Sequence, residues 1–210
     1  MIHKRNELLF EVLKKNLSLR HMDAYYCKNA EEAVRKVLSL MPKGSSVGWG
    51  GSMTLRDTGI LSTLRSSGDY KLLDRDNAPD AQQKRQVERE IFFADFFLTS
   101  CNAMSQKGEI VNIDGNGNRM AAITFGPRQV IFVVGMNKVT ATLDDALSRA
   151  RNLAAPVNGQ RFPTDTPCHK DGQCHDCLFE TSICSYIQVL RNSRPAGRHT
   201  VVFVDGDFGY

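Results

Sequence analysis

Apolar residues along this chain change spacing repeatedly, and the changes mark out helices and strands. Leu8, Leu9, Val12, Leu13 and Leu17 share one face at helical spacing, which predicts an amphipathic helix over about residues 4–19. Asn29 reads as an N-cap before Ala30, Val34, Val37, Leu38 and Met41, and Pro42-Lys43-Gly44 closes that helix. SSVGWGG (45–51) is a short strand running into a glycine turn, and SMTLRDTGILSTLRS (52–66) continues as a helix. A strand over 71–74, a charged helix over 80–94 and a strand over 95–99 follow. GEIVNIDG (108–115) is strand-like and ends in a DGNGN turn, MAAITFG (120–126) carries a further apolar stretch, and the texture there is β-rich. QVIFVVG (129–135) is apolar throughout, the pattern of a strand covered on both faces. Residues 144–158 predict a helix closed by Pro156, Cys184–Leu190 is assigned to a helix, and Thr200–Val204 to a last strand. Strands alternating with helices predict an α/β fold with a mostly parallel sheet. The expected division is an α/β domain with N-terminal helices over 1–155, then a cysteine-rich extension over 156–210 whose final strand packs on the same domain.

Composition narrows the function. With 41% hydrophobic residues in 210, the chain can bury a core without disulfide staples. Its net charge of +4 is spread along the sequence. That suits a small anionic ligand and not nucleic acid, which needs a dense basic stripe. No apolar run of about 18 residues appears, so no membrane span is expected. The N-terminus lacks the apolar core of a signal peptide. The expected compartment is therefore cytoplasmic, where thiols stay reduced.

Four of the six cysteines fall within residues 168–184: Cys168, Cys174, Cys177 and Cys184. The spacing C-x5-C-x2-C-x6-C brings four thiols into reach of one centre, with Gly172 easing the turn and Pro167 stiffening the entry. An iron–sulfur cluster, zinc, or cysteines without metal all remain open, and His169 or His175 could replace a thiolate at zinc.

Two polar strips complete the candidate chemistry. Gly50, Gly51, Ser52 and Thr54 form a strand-to-helix turn able to approach a phosphate or carboxylate, although neither a dinucleotide nor a P-loop fingerprint is present. The plainer reading is a tight turn with a capping serine. The second strip holds Asn102, Glu109, Asp114, Gly117 and Arg119, with Glu109 as the candidate catalytic nucleophile or base. The plainer reading of DGNGNR is a β-hairpin turn. Cys101 reads as a buried, inert thiol.

VGWGGSMTLRDTGIL together with ADFFLTSCNAMSQKGEIVNIDGNGNRMAAITFGPRQVIFVVGMNKV resembles the LUD domain of the lactate-utilisation family. The resemblance covers about residues 30–150. It implies a three-layer α/β/α fold similar to ribose-5-phosphate isomerase and the CoA transferases, with both polar strips facing one pocket. It also implies L-lactate oxidation alongside iron–sulfur oxidoreductase partner subunits. A homodimer is retained as a candidate assembly. The cysteine tail departs from short members of that family. Three functions compete: a hydroxy-acid protein, catalytic or not; an electron-transfer or assembly module built on the cysteine loop; and a sugar-phosphate or CoA-ester binder without catalysis.

Overall fold

The computed structural model describes residues 1–210. In chain order its elements are α1 (Ile2–Leu19), β1 (Asp23–Cys27), α2 (Ala30–Ser39), β2 (Ser46–Trp49), α3 (Met53–Asp57), α4 (Ile60–Ser67), β3 (Lys71–Leu73), α5 (Ala81–Glu90), β4 (Phe96–Thr99), β5 (Ala103–Ser105), β6 (Ile110–Asp114), α6 (Asn118–Thr124), β7 (Gln129–Gly135), β8 (Val139–Thr140), α7 (Leu143–Arg149), α8 (Ala155–Gly159), α9 (Pro167–Asp171), β9 (Tyr186–Leu190) and β10 (His199–Val204).

Six strands form one wholly parallel sheet in the order β1-β10-β7-β4-β2-β3. Alternation along its strands divides the core in two. Val201 and Phe203 face one side with Phe132, Val134 and Phe97, against Leu13 and Leu17 of α1 and Ile123 of α6. Val202 and Val204 face the other with Ile131, Val133 and Trp49, against Val37 of α2, Leu55 of α3 and Leu61 and Leu64 of α4. This is an α/β fold of three layers. A second sheet, β8-β5-β6-β9, packs Val111 and Ile113 on Ala146 of α7 and Ala155 of α8. No helix is long and apolar enough to cross a membrane.

Several elements differ from the sequence expectation. The helix expected over 52–66 is two helices, because Gly59 takes a left-handed φ of +77° between α3 and α4. DGNGN does not close a hairpin: Gly117 (φ +72°) starts α6, so 120–126 is largely helical. Pro156 does not close a helix either. It opens α8 after a wider π turn over Ala150–Ala154, which accommodates the missing proline N–H. Cys184–Leu190 is not helical; β9 pairs antiparallel with β6 from Ile110↔Leu190 to Asp114↔Tyr186. Residues 156–210 thus supply an edge of the small sheet and, through β10, the second strand of the large one.

Candidate functional site

Strands of an open parallel sheet gather ligand groups at their carboxyl ends. β2 ends at Trp49 and turns through Gly50 and Gly51 to Ser52, whose hydroxyl accepts from the Leu55 N–H at 3.3 Å and caps α3. α3 has five residues, so its dipole is small and the turn acts by position. Gly50 lies against the second strip: a Cβ there would stand 3.3 Å from Arg119 Cδ. β7 leads through Met136 and Asn137 to Lys138, which is 3% exposed. Lys138 Nζ donates to Thr54 Oγ1 at 2.8 Å, Ser100 Oγ at 3.1 Å and the Cys101 carbonyl at 3.2 Å. Its three partners are neutral oxygens, and it forms no ion pair. Burial, with Arg149 and Arg119 nearby, pushes its ammonium down to about 8.

The second strip is a knot around Arg119. Its Nε donates to Asp114 Oδ1 at 3.0 Å, and its Nη2 to Asn102 Oδ1 at 3.0 Å and the Ile113 carbonyl at 2.6 Å. Asn102 Oδ1 also accepts from the Ile113 N–H, and Asp114 Oδ2 from the Met120 N–H. Asp114 therefore fixes both the guanidinium and the start of α6. Arg149 holds the Asn102 carbonyl at 2.6 Å from below. The Cys101 thiol is fully buried and pushed up by that burial, which keeps it a resting thiol.

Both strips open on one cleft of about 630 Å³. Gly51, Ser52, Asn102, Asp114, Arg119 and Lys138 line it. Thr54 lies beneath, bonded to Lys138, and Gly50 and Gly117 shape the backbone without lining the space. Arg56, Arg75, Lys84, Arg85 and Arg161 add positive charge at the rim against Asp76, Glu88 and Glu180. Arg56 is paired with Asp76 and Arg75 with Glu88, whereas Lys84, Arg85 and Arg161 have no carboxylate partner. Arg75 Nε is a buried donor without an acceptor. The cleft is thus a cationic, donor-rich space.

Glu109 is not part of it. Its carboxylate is held by the Arg20 guanidinium at the end of α1 and by the Ser105 hydroxyl, away from the cleft lining. Burial alone would push the carboxyl up, but Ser105 and Arg20 together hold it below its ordinary range. Such a group ties α1 to the small sheet and is already committed as an acceptor. Glu109→Gln should lower stability by about 1–3 kcal/mol, measured by urea unfolding, and leave the affinity of any cleft ligand unchanged.

Lys138 was the residue missed from the sequence. Its one signal was position: a lysine three residues past an unbroken apolar run stands at the carboxyl end of a buried strand. Arg75, between β3 and α5, carried no signal of its own.

The four clustered cysteines line one smaller cavity of about 80 Å³ together with Arg151, Thr166 and Ser182. All are free thiols. Burial first, then the neighbouring Cys168, Cys174 and Cys177, pushes the Cys184 thiol up to about 11. His175 Nε2 is engaged by Asp171 at 2.7 Å and His169 Nδ1 by the Gly159 carbonyl at 3.3 Å, so both rings have other partners. The donor set is four sulfurs, which suits a thiophilic metal, although no three metal-ligating side chains stand at ligating geometry around one point.

The family model of the LUD domain matches residues 10–204, a span that takes in the cysteine loop, β10 and every residue lining the cleft except Tyr210. Among solved structures, a DUF162 family protein from Deinococcus radiodurans is similar at 13% identity and a TM-score of 0.55, over 96% of this chain and 98% of that one. More distant likenesses are the eIF2B delta subunit of Chaetomium thermophilum (14% identity, TM-score 0.38, 58% of this chain and 54% of that one) and ribose 5 phosphate isomerase A of Neisseria gonorrhoeae (12%, 0.35, 53% and 52%). No curated protein matches. The chain belongs to the LUD-domain, or lactate-utilisation, family.

Proposed function

We propose that the cleft binds a small anionic metabolite, a hydroxy-acid carboxylate or a phosphorylated ligand, and that the protein serves α-hydroxy-acid utilisation through it. The observation that carries this reading is Lys138, a buried lysine at the cleft floor whose partners are all neutral. A buried cation without a counter-ion is costly, and an anionic ligand would offset that cost. Lys84, Arg85 and Arg161, which have no carboxylate partner, and Arg75 Nε, which makes no hydrogen bond, add to the attraction. Ser52, Asn102 and Arg119 would set orientation, with Asp114 holding Arg119 in place.

The test is titration calorimetry over a panel of L-lactate, other hydroxy acids, sugar phosphates and coenzyme A esters. Binding of at least one anion is expected, weakening as pH rises through about 8, where Lys138 loses its charge. No binding across the panel, or binding that is indifferent to pH between 7 and 9.5, would reject the proposal.

A further inference from the structure

The anion cleft and the cysteine cavity share a wall. Ile113, Ser182 and Ile183 line both, and Glu180 and Thr181 continue that wall into the cleft. The shared stretch lies between Cys177 and Cys184 in sequence, so a sulfur flanks it on each side. It also sits tight against the cleft floor: a Cβ at Gly115, just past β6, would stand 3.2 Å from Ile183 Cα.

Little else holds this segment. From Gly172 to Ser185 the chain has no helix or strand, and Leu178 and Phe179 are turned largely to solvent. An irregular loop of that length inside a compact domain is uncommon unless it has a function or a fastener. Its side-chain anchors are few: the Arg151–Asp176 ion pair, the His175–Asp171 contact at 2.7 Å, and Cys184 packed beside the apolar cluster under the small sheet. Four thiols around one small cavity form the remaining concentration of like groups, and they are unlinked to one another.

We infer that Cys168, Cys174, Cys177 and Cys184 form a four-sulfur site for a thiophilic metal centre, and that filling it fixes the 180–183 wall of the cleft. The sulfurs must draw in to reach ligating distance, since they do not stand there now. Because Cys177 and Cys184 bracket the wall, that contraction moves and then immobilises it. Metal binding and local folding are coupled wherever a site closes from an irregular loop. Zinc would supply a structural clasp, whereas an iron–sulfur cluster would also supply one-electron transfer beside the cleft.

The 210-residue chain, purified without oxygen and stripped of metal, would be reconstituted in two arms, Zn(II) alone and ferrous iron with sulfide. Metal and sulfide analysis and the visible spectrum read occupancy. Amide hydrogen exchange of residues 178–185 reads the wall, whether or not the cleft takes an anion. One centre per chain is expected in one arm, with exchange at 178–185 slowed at least tenfold. The Cys174→Ser/Cys177→Ser variant should lose both effects while keeping the wild-type far-ultraviolet circular dichroism. A Cys27→Ala variant, which removes a distant buried thiol, should keep both. Substoichiometric metal in both arms with a folded protein would overturn the metal site, as would equal loading of the double variant. Full loading without slower exchange at 178–185 would overturn the link to the cleft and leave the anion-binding proposal standing.

Discussion

A chain ending at Gly197 is not expected to fold. The cut removes β10, which lies between β1 and β7 and pairs with both along its length. Every residue of β10 is buried, and Val201, Val202, Phe203 and Val204 fill both faces of the sheet. Burying four such side chains contributes about 6–12 kcal/mol, comparable to the whole stability of about 5–15 kcal/mol typical of a domain. The cut also removes Asp205, which accepts from Asn6 Nδ2 of α1 at 2.6 Å. Far-ultraviolet circular dichroism and urea titration would show an uncooperative chain. A truncated protein with a cooperative transition near the wild-type midpoint would mean that the sheet closes without this strand.

Lys138→Met should separate binding from stability. Methionine keeps much of the volume but donates nothing, so the affinity of any cleft anion should fall by about 1.5–3 kcal/mol, roughly 10- to 150-fold in Kd. Stability should respond differently. The folded-state value is lowered to about 8 from a usual value near 10.5. Below pH 8 the lysine is charged in both states, and the folded state bears the full cost of burying it. Between about pH 8 and 10.5 the unfolded chain holds the extra proton, so this lysine's contribution to stability rises with pH. The whole effect is on the order of 3 kcal/mol. Subtracting the Lys138→Met pH profile from the wild-type profile should therefore leave a rise over that window. The difference cancels other groups, such as Cys27, whose thiol is pushed up to about 11 and whose contribution falls with rising pH. A flat difference curve would mean that Lys138 is better solvated than its surroundings indicate.

What the sequence revealed depended on whether neighbours in the chain or neighbours in space decide each element. β7 and β10 were legible because an unbroken apolar run has few alternatives to a strand covered on both faces. β1 carries no such signature: DAYYC is short, and only Cys27 in it is fully buried. β9 reads locally as a helix because its strand character comes from pairing with β6, far away in sequence. The site divided in the same way. Ser52, Asn102, Asp114 and Arg119 stood out as polar groups next to glycine turns at strand ends, and they line one cleft. Glu109 looked equally promising, but its fate was set by Arg20 on α1, which no local pattern reveals. Lys138 was hidden for the opposite reason, since one lysine after a strand is ordinary until its depth is known.

The pairing of β1 with β10 joins residues near the two ends of the described chain. Closing so long a loop adds little to the thermodynamic cost of folding, because that cost grows only logarithmically with length. The burden falls on speed, since contacts between remote residues must wait until the intervening chain has been ordered. An assembly that leaves the most remote pairing until last would begin with β2, β4 and β7 and add β1 and β10 at the end. Until then the flank of β7 is an open edge of unpaired amides and carbonyls, and at that stage crowding with other copies is most hazardous.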